Sequence, residues 1–141
     1  MAIEFVSASP TISAAAIYAS GDAVGGLITV GKPSQPVLQS IVLVDDDKEN
    51  ATTDLILFRR SVTVAADNAA FTLQNTDDDA VIGYVTFDTY KDFGSHSVAQ
   101  VTNLALLIPA GDSLYGQLVT RGTPTYTNTD DIRLNFIFAP Y

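Results

Sequence analysis

Short apolar runs broken by turn residues constrain the fold of this chain more than any other feature. Eight candidate segments recur along the 141 residues: 3–7, 25–30, 36–45, 53–60, 80–88, 98–108, 113–121 and 131–139. Gly, Pro, Asn and Asp bound them, and each is either alternating with period two or a brief continuous run of Val, Ile, Leu and Phe. Spacing this regular predicts an all-β, single-domain β-sandwich or jelly roll of about eight strands rather than strand–helix–strand units. In 131–139, Leu134, Phe136 and Phe138 fall on one face, with Arg133 and Asn135 on the other. In 80–88, Val81, Val85 and Phe87 share a face, and Gly83 marks a bulge or a close neighbour. The runs IVLV (41–44) and LILF (55–58) do not alternate, which predicts cover on both faces, by a second layer or by another subunit. Helix is confined to at most one short piece, best placed at 67–74 with Asp67 as its N-cap.

Residues 1–10 read as an extended N-terminal arm bearing Ile3 and Phe5, ahead of one domain over 11–141. An apolar fraction of 47% suffices for a core, and 141 residues suit a single domain. No run approaches the roughly 20 apolar residues needed to span a bilayer, so no membrane partner is expected. The N-terminal stretch lacks a basic region, and Glu4 interrupts it, which predicts no signal peptide. The chain has no cysteine, so disulfides and thiolate-bound zinc are excluded and a reducing cytosol is compatible. Sixteen acidic against seven basic residues give a net charge of −9, which repels nucleic acid and anionic lipid.

Three acidic clusters, 45–47, 77–79 and 130–131, raise the question of a hard cation. Asp45, Asp47, Asp77 and Asp79 are the candidate oxygen ligands. The competing reading is that these aspartates cap turns, since the glycine and terminal glutamate of an EF-hand loop are missing. The single histidine, His96, reads as a solvent-facing loop residue, because no strand–turn–helix serine motif accompanies it. Gly31-Lys32-Pro33-Ser34 lacks the spacing of a phosphate loop. No catalytic residue and no cofactor is therefore expected, and the chain does not read as an enzyme. The stretch LYGQLVTRGTPTYTNTDDIRL (114–134) reads as a corner between two strands. Tyr115 and Tyr126 offer amphipathic contact area there, and Arg121, Asp130 and Asp131 hold the corner or a neighbour.

Four stretches in order, IYASGDAVGG (17–26), FRRSVTVAADNAAFTL (58–73), DDDAVIGYVTF (77–87) and the 114–134 corner, resemble a family of small virion structural proteins of tailed bacteriophages. The similarity covers most of the chain and implies work in the virion after synthesis in the bacterial cytoplasm. It brings no catalytic residues with it. Within that implication, the compact domain is expected to be a capsid decoration (cement) protein. It would bind the major capsid protein from outside as a homotrimer, with the N-terminal arm as a clamp. The alternatives are a tail, adaptor or fibre-associated component, and a module that binds host-surface glycans.

Overall fold

Strand pairing in the computed structural model, which describes residues 2–141, is antiparallel throughout. The strands are β1 (Glu4–Ser7), β2 (Ala23–Gly31), β3 (Val37–Asp45), β4 (Thr53–Phe58), β5 (Val81–Phe87), β6 (Lys91–Asp92), β7 (Ser97–Val101), β8 (Leu106–Leu107), β9 (Leu114–Thr120) and β10 (Ile132–Ala139). One sheet has the order β1-β10-β3-β7-β6, with β8 also against β3; the other is β2-β9-β4-β5. Set aside the two-residue β6 and β8, and eight strands remain. The first pairs with the last, the second with the seventh, the third with the sixth and the fourth with the fifth. That is the jelly roll expected from the sequence.

The sheets face each other across one apolar cluster. Leu38, Ile41, Leu43, Leu134, Phe136 and Phe138 come from the first sheet, and Leu55, Leu57, Val85, Phe87, Leu114 and Leu118 from the second. The alternation read in 131–139 holds, since Leu134, Phe136 and Phe138 are fully buried while Arg133 is exposed.

The non-alternating runs alternate in space after all. Ile41 and Leu43 point into the core, and Val42 and Val44 lie half-buried on the outer face. In β4, Leu55 and Leu57 point inward and Phe58 outward, yet Phe58 is fully buried. Its neighbours on that outer face, Gln117 and Val119, are buried as well. The cover is the chain's own segment 59–80, a strap that leaves β4, reaches the free edge of β2 and returns to β5. There Asn68 N–H donates to the Ala23 carbonyl (2.8 Å), Ala23 N–H to the Ala69 carbonyl (2.8 Å) and Phe71 N–H to the Gly21 carbonyl (2.9 Å).

Those bonds explain why 67–74 is not the helix expected from its sequence. A two-turn helix is marginal by itself, and here the backbone groups are satisfied by a sheet edge instead. Helical structure among the described residues is one 3₁₀ segment, Asn75–Ala80, at the second aspartate cluster. The segment 98–108 is also not one strand. Asn103 and Ala105 take left-handed backbone angles (φ 58° and 50°) and divide it into β7 and β8. Val81 does not share a face with Val85 and Phe87. The irregularity opposite Leu57 and Phe58 leaves Ile82 unpaired between Gly83 and Val81, and Val81 turns outward. Gly83 does sit at the expected bulge.

The N-terminal arm is extended but not free. Its residues 4–7 are β1, paired with Ser7 opposite Asn135 and Glu4 opposite Phe138. The Glu4 carboxylate accepts the Ser34 amide (2.8 Å), and Pro10 is buried against Gly25. Backbone pairing within its own sheet outcompetes a solvated arm, whose amides would gain only water.

Candidate functional site

The polar corner after β9 is built as a structural joint. Gly122 and the buried Pro124 turn the chain. Tyr18 N–H then donates to the Pro124 carbonyl (3.0 Å), and Ala15 N–H to the Tyr126 carbonyl (2.6 Å). Carboxylates hold the other side. Asp47 accepts the Thr127 amide (2.5 Å) and hydroxyl (2.8 Å), and Glu49 the Thr125 amide (2.5 Å). Asp131 accepts the amides of Thr127 (3.1 Å) and Asn128 (2.8 Å). Asp45 closes its own turn with the amides of Asp47 (2.9 Å) and Asn50 (3.0 Å).

Electrostatics separate these acids. Burial pushes the Asp45 carboxyl up, against the pull of its three backbone donors. Burial also acts to raise Asp131, but the hydrogen-bonded contact with Asp47 and the donors of Asn128 and Thr127 outweigh it. That carboxyl is held below its ordinary value. Of the corner and a neighbour, Asp131 holds the corner, whereas the expectation that Tyr126 offers contact area is corrected. Asp131 is only 3% exposed and Tyr126 only 2%, so neither offers contact area to a partner. The Tyr126 ring meets Tyr18 edge-on, with centroids 6.0 Å apart, and burial raises its phenol.

A second joint fixes the strap. Asp67 accepts the Tyr18 hydroxyl (2.7 Å), the Gly25 amide (2.6 Å) and the Ser13 hydroxyl. Burial, reinforced by Asp67, pushes the Tyr18 phenol up to about 12. At the far end of the strap, Arg60 reaches Asp77 (3.2 Å) and Asp79 (2.5 Å) at once. Asp77 also takes the Thr63 amide (3.2 Å). The four aspartates considered as cation ligands thus lie as two separate pairs, Asp45 and Asp47 in one turn and Asp77 and Asp79 in the 3₁₀ segment, engaged by amides, hydroxyls and arginine. Among the described residues no group of three His, Cys, Asp or Glu side chains converges on one point.

The remaining candidates lie on surfaces. Arg121 pairs through Nε with Asp54 (2.7 Å), which also accepts the Thr86 hydroxyl (2.7 Å). This pair rims a groove of about 360 Å³ on the outer face of β4, β5 and β9, lined by Ile56, Phe71, Val81, Tyr84 and Val119. Tyr115 is half-buried further along β9, opposite Phe58. Asp130 is exposed, 3.9 Å from Arg133. Ile3 and Phe5 are 62% and 64% exposed at β1. His96 sits at the β6–β7 hairpin tip as expected, with Nδ1 2.7 Å from the Ser95 hydroxyl and Nε2 3.1 Å from Asp46.

The structure therefore divides the expected interface residues. Tyr126 and Asp131 join the internal joint, Phe5 lies on the edge strand β1 with Ile3 just before it, and Arg121 stands at the groove. Sequence reading missed Tyr84, 73% exposed, although its place between Gly83 and Val85 sets it on the face opposite the core residues. It missed Asp67 as a clamp, because nothing local links that residue to Tyr18 and Gly25. No protein-family model, no curated protein and no solved structure matches the chain.

Proposed function

We propose that this protein is a bacteriophage virion component that decorates the outer face of the capsid as a homo-oligomer and cements neighbouring capsid subunits. The observation that carries this reading is the jelly-roll strand order, an architecture shared by viral capsid and lectin domains. That warrant is one of fold, and the family resemblance of the four sequence stretches supplies the rest. The interlocked build suits a mechanical task. The strap and the 121–131 corner are each tied to segments distant in sequence, so pulling on one element loads the whole sandwich. A net charge of −9 keeps the protein outside the DNA-filled interior. Each contact bridging two capsid subunits then adds buried apolar area, at about 25 cal/mol per Å² as an upper guide.

The test is co-sedimentation of the purified protein with capsids of its phage assembled without it, followed by heating. Decoration with a higher temperature of capsid disruption supports the reading. Binding to tails alone overturns it. The Tyr84 groove favours one alternative, a glycan-binding module, with the phenol ring as a stacking platform and the Arg121–Asp54 pair at its rim. In that case the isolated protein adheres to host cells through Tyr84 and ignores capsids.

A further inference from the structure

The two sheets protect most of their edges but not β1. The edge strand β6 is two residues long and charged, and β5 carries an irregularity and lies against β7, devices that discourage edge-to-edge pairing. β1 has no such device. The Ala8 amide donates to the Leu134 carbonyl (3.0 Å), and the alternation of an antiparallel ladder directs the amides and carbonyls of Glu4 and Val6 towards β10 as well. Those of Phe5 and Ser7, and of Ile3 before them, point away from the sheet. The same residues carry the exposed side chains, with Ile3 at 62% and Phe5 at 64%.

We propose that the free edge of β1 is a self-association surface, pairing antiparallel with β1 of a second copy about a two-fold axis at Phe5. Three observations select a second copy as occupant. The outward residues 3, 5 and 7 are symmetric about Phe5, so both strands meet every open donor and acceptor in one register. Phe5 then faces Phe5 of the other copy, and Ile3 faces Ser7. The seam is also neutral in a chain of net charge −9. Its only acid, Glu4, points to the other face and is occupied by the amides of Ser34 (2.8 Å) and Gln35 (3.3 Å). Like charges therefore do not meet across it. Finally, two aromatic rings side by side on adjacent strands form a stabilising cross-strand pair.

The inference does not depend on the virion reading, and it changes the N-terminal segment from a clamp that reaches out into an edge that receives. It also gives a two-fold pair where the family resemblance led to the expectation of a homotrimer. A seam of about five residues is short by the standard of stable interfaces, so the pair is weak in solution and gains from high local concentration on a surface.

The absence of cysteine makes the test direct. In Phe5→Cys the two thiols face each other at about 5.5 Å between Cα atoms, within disulfide range. Mild oxidation should give covalent dimers at least tenfold faster than in Tyr84→Cys, a control at a position still more exposed than Phe5. In sedimentation velocity the wild type should rise with concentration from 15.0 kDa towards twice that mass. Phe5→Lys, with unchanged melting, should weaken this association at least tenfold. Equal cross-linking rates in the two cysteine variants, a wild type that stays monomeric at millimolar concentration, or a trimer indifferent to Phe5→Lys would each overturn the proposal.

Discussion

Asp67→Ala is the sharpest test of how the strap is held. It strands three donors at once: the Tyr18 phenol (2.7 Å), the Gly25 amide (2.6 Å) and the Ser13 hydroxyl. A hydrogen bond to a charged acceptor contributes about 1.5–3 kcal/mol. Three bonds on one carboxylate are not independent, and Ser13 can turn to water, so the expected cost is about 3 kcal/mol rather than the full sum. With a urea slope of about 2 kcal/mol per M for a domain this size, the unfolding midpoint falls by about 1.5 M at unchanged slope. Tyr18→Phe removes two bonds, the one to Asp67 and the one its oxygen accepts from the Ser13 amide (2.8 Å), and leaves Asp67 two, for about 2 kcal/mol; the double variant costs about 1 kcal/mol less than the sum. Amide exchange should accelerate at Ala23, Asn68 and Phe71, whose bonds tie strap to β2. A midpoint drop below about 0.5 M, or unchanged exchange at those amides, would refute the strap's dependence on Asp67.

Three further outcomes follow from the same geometry. Gly25→Ala should be severe, about 3 kcal/mol or more in urea unfolding, because the position has φ +76° and its Cβ would stand 2.4 Å from Pro10 Cβ; Gly26→Ala, with nothing within 4 Å, should change little. Asp131 is depressed, so its contribution is present above its unfolded value of about 3.9 and is lost as pH falls through its lower folded value. Asp45 is raised and works in the opposite direction, so Asp131→Asn should flatten the acid limb of thermal stability against pH while Asp45→Asn should steepen it. Arg121→Gln should cost less than about 1 kcal/mol, since its ion pair with Asp54 is solvent-screened; a larger loss would make the pair part of the corner itself.

Much of the frame was legible because strand patterning is local. The short apolar runs located seven of the eight long strands of the jelly roll to within two residues and overran β7 into β8, and the faces of 131–139 were right residue by residue. What escaped depends on partners distant in sequence. Nothing within 67–74 announces that its amides and carbonyls pair with the edge of β2 rather than with each other. The run at 55–58 is apolar on both faces because the strap buries Phe58, a layer that periodicity detects without saying whose it is. Acidic clusters looked alike in one dimension, yet Asp45 and Asp131 clamp loop amides, Asp77 and Asp79 hold Arg60, and Asp130 is exposed. Tyr126 read as amphipathic contact area, whereas its ring is consumed by packing on Tyr18.

The proposed role sets the outer surfaces of this jelly roll against the capsid and against its own copies. Electron cryomicroscopy of capsids reconstituted with the protein tests it most directly. Density for the sandwich is expected on the outer shell, with neighbouring copies meeting at β1 around Phe5. Density confined to the tail, or copies on the shell whose β1 edges face solvent, would contradict it.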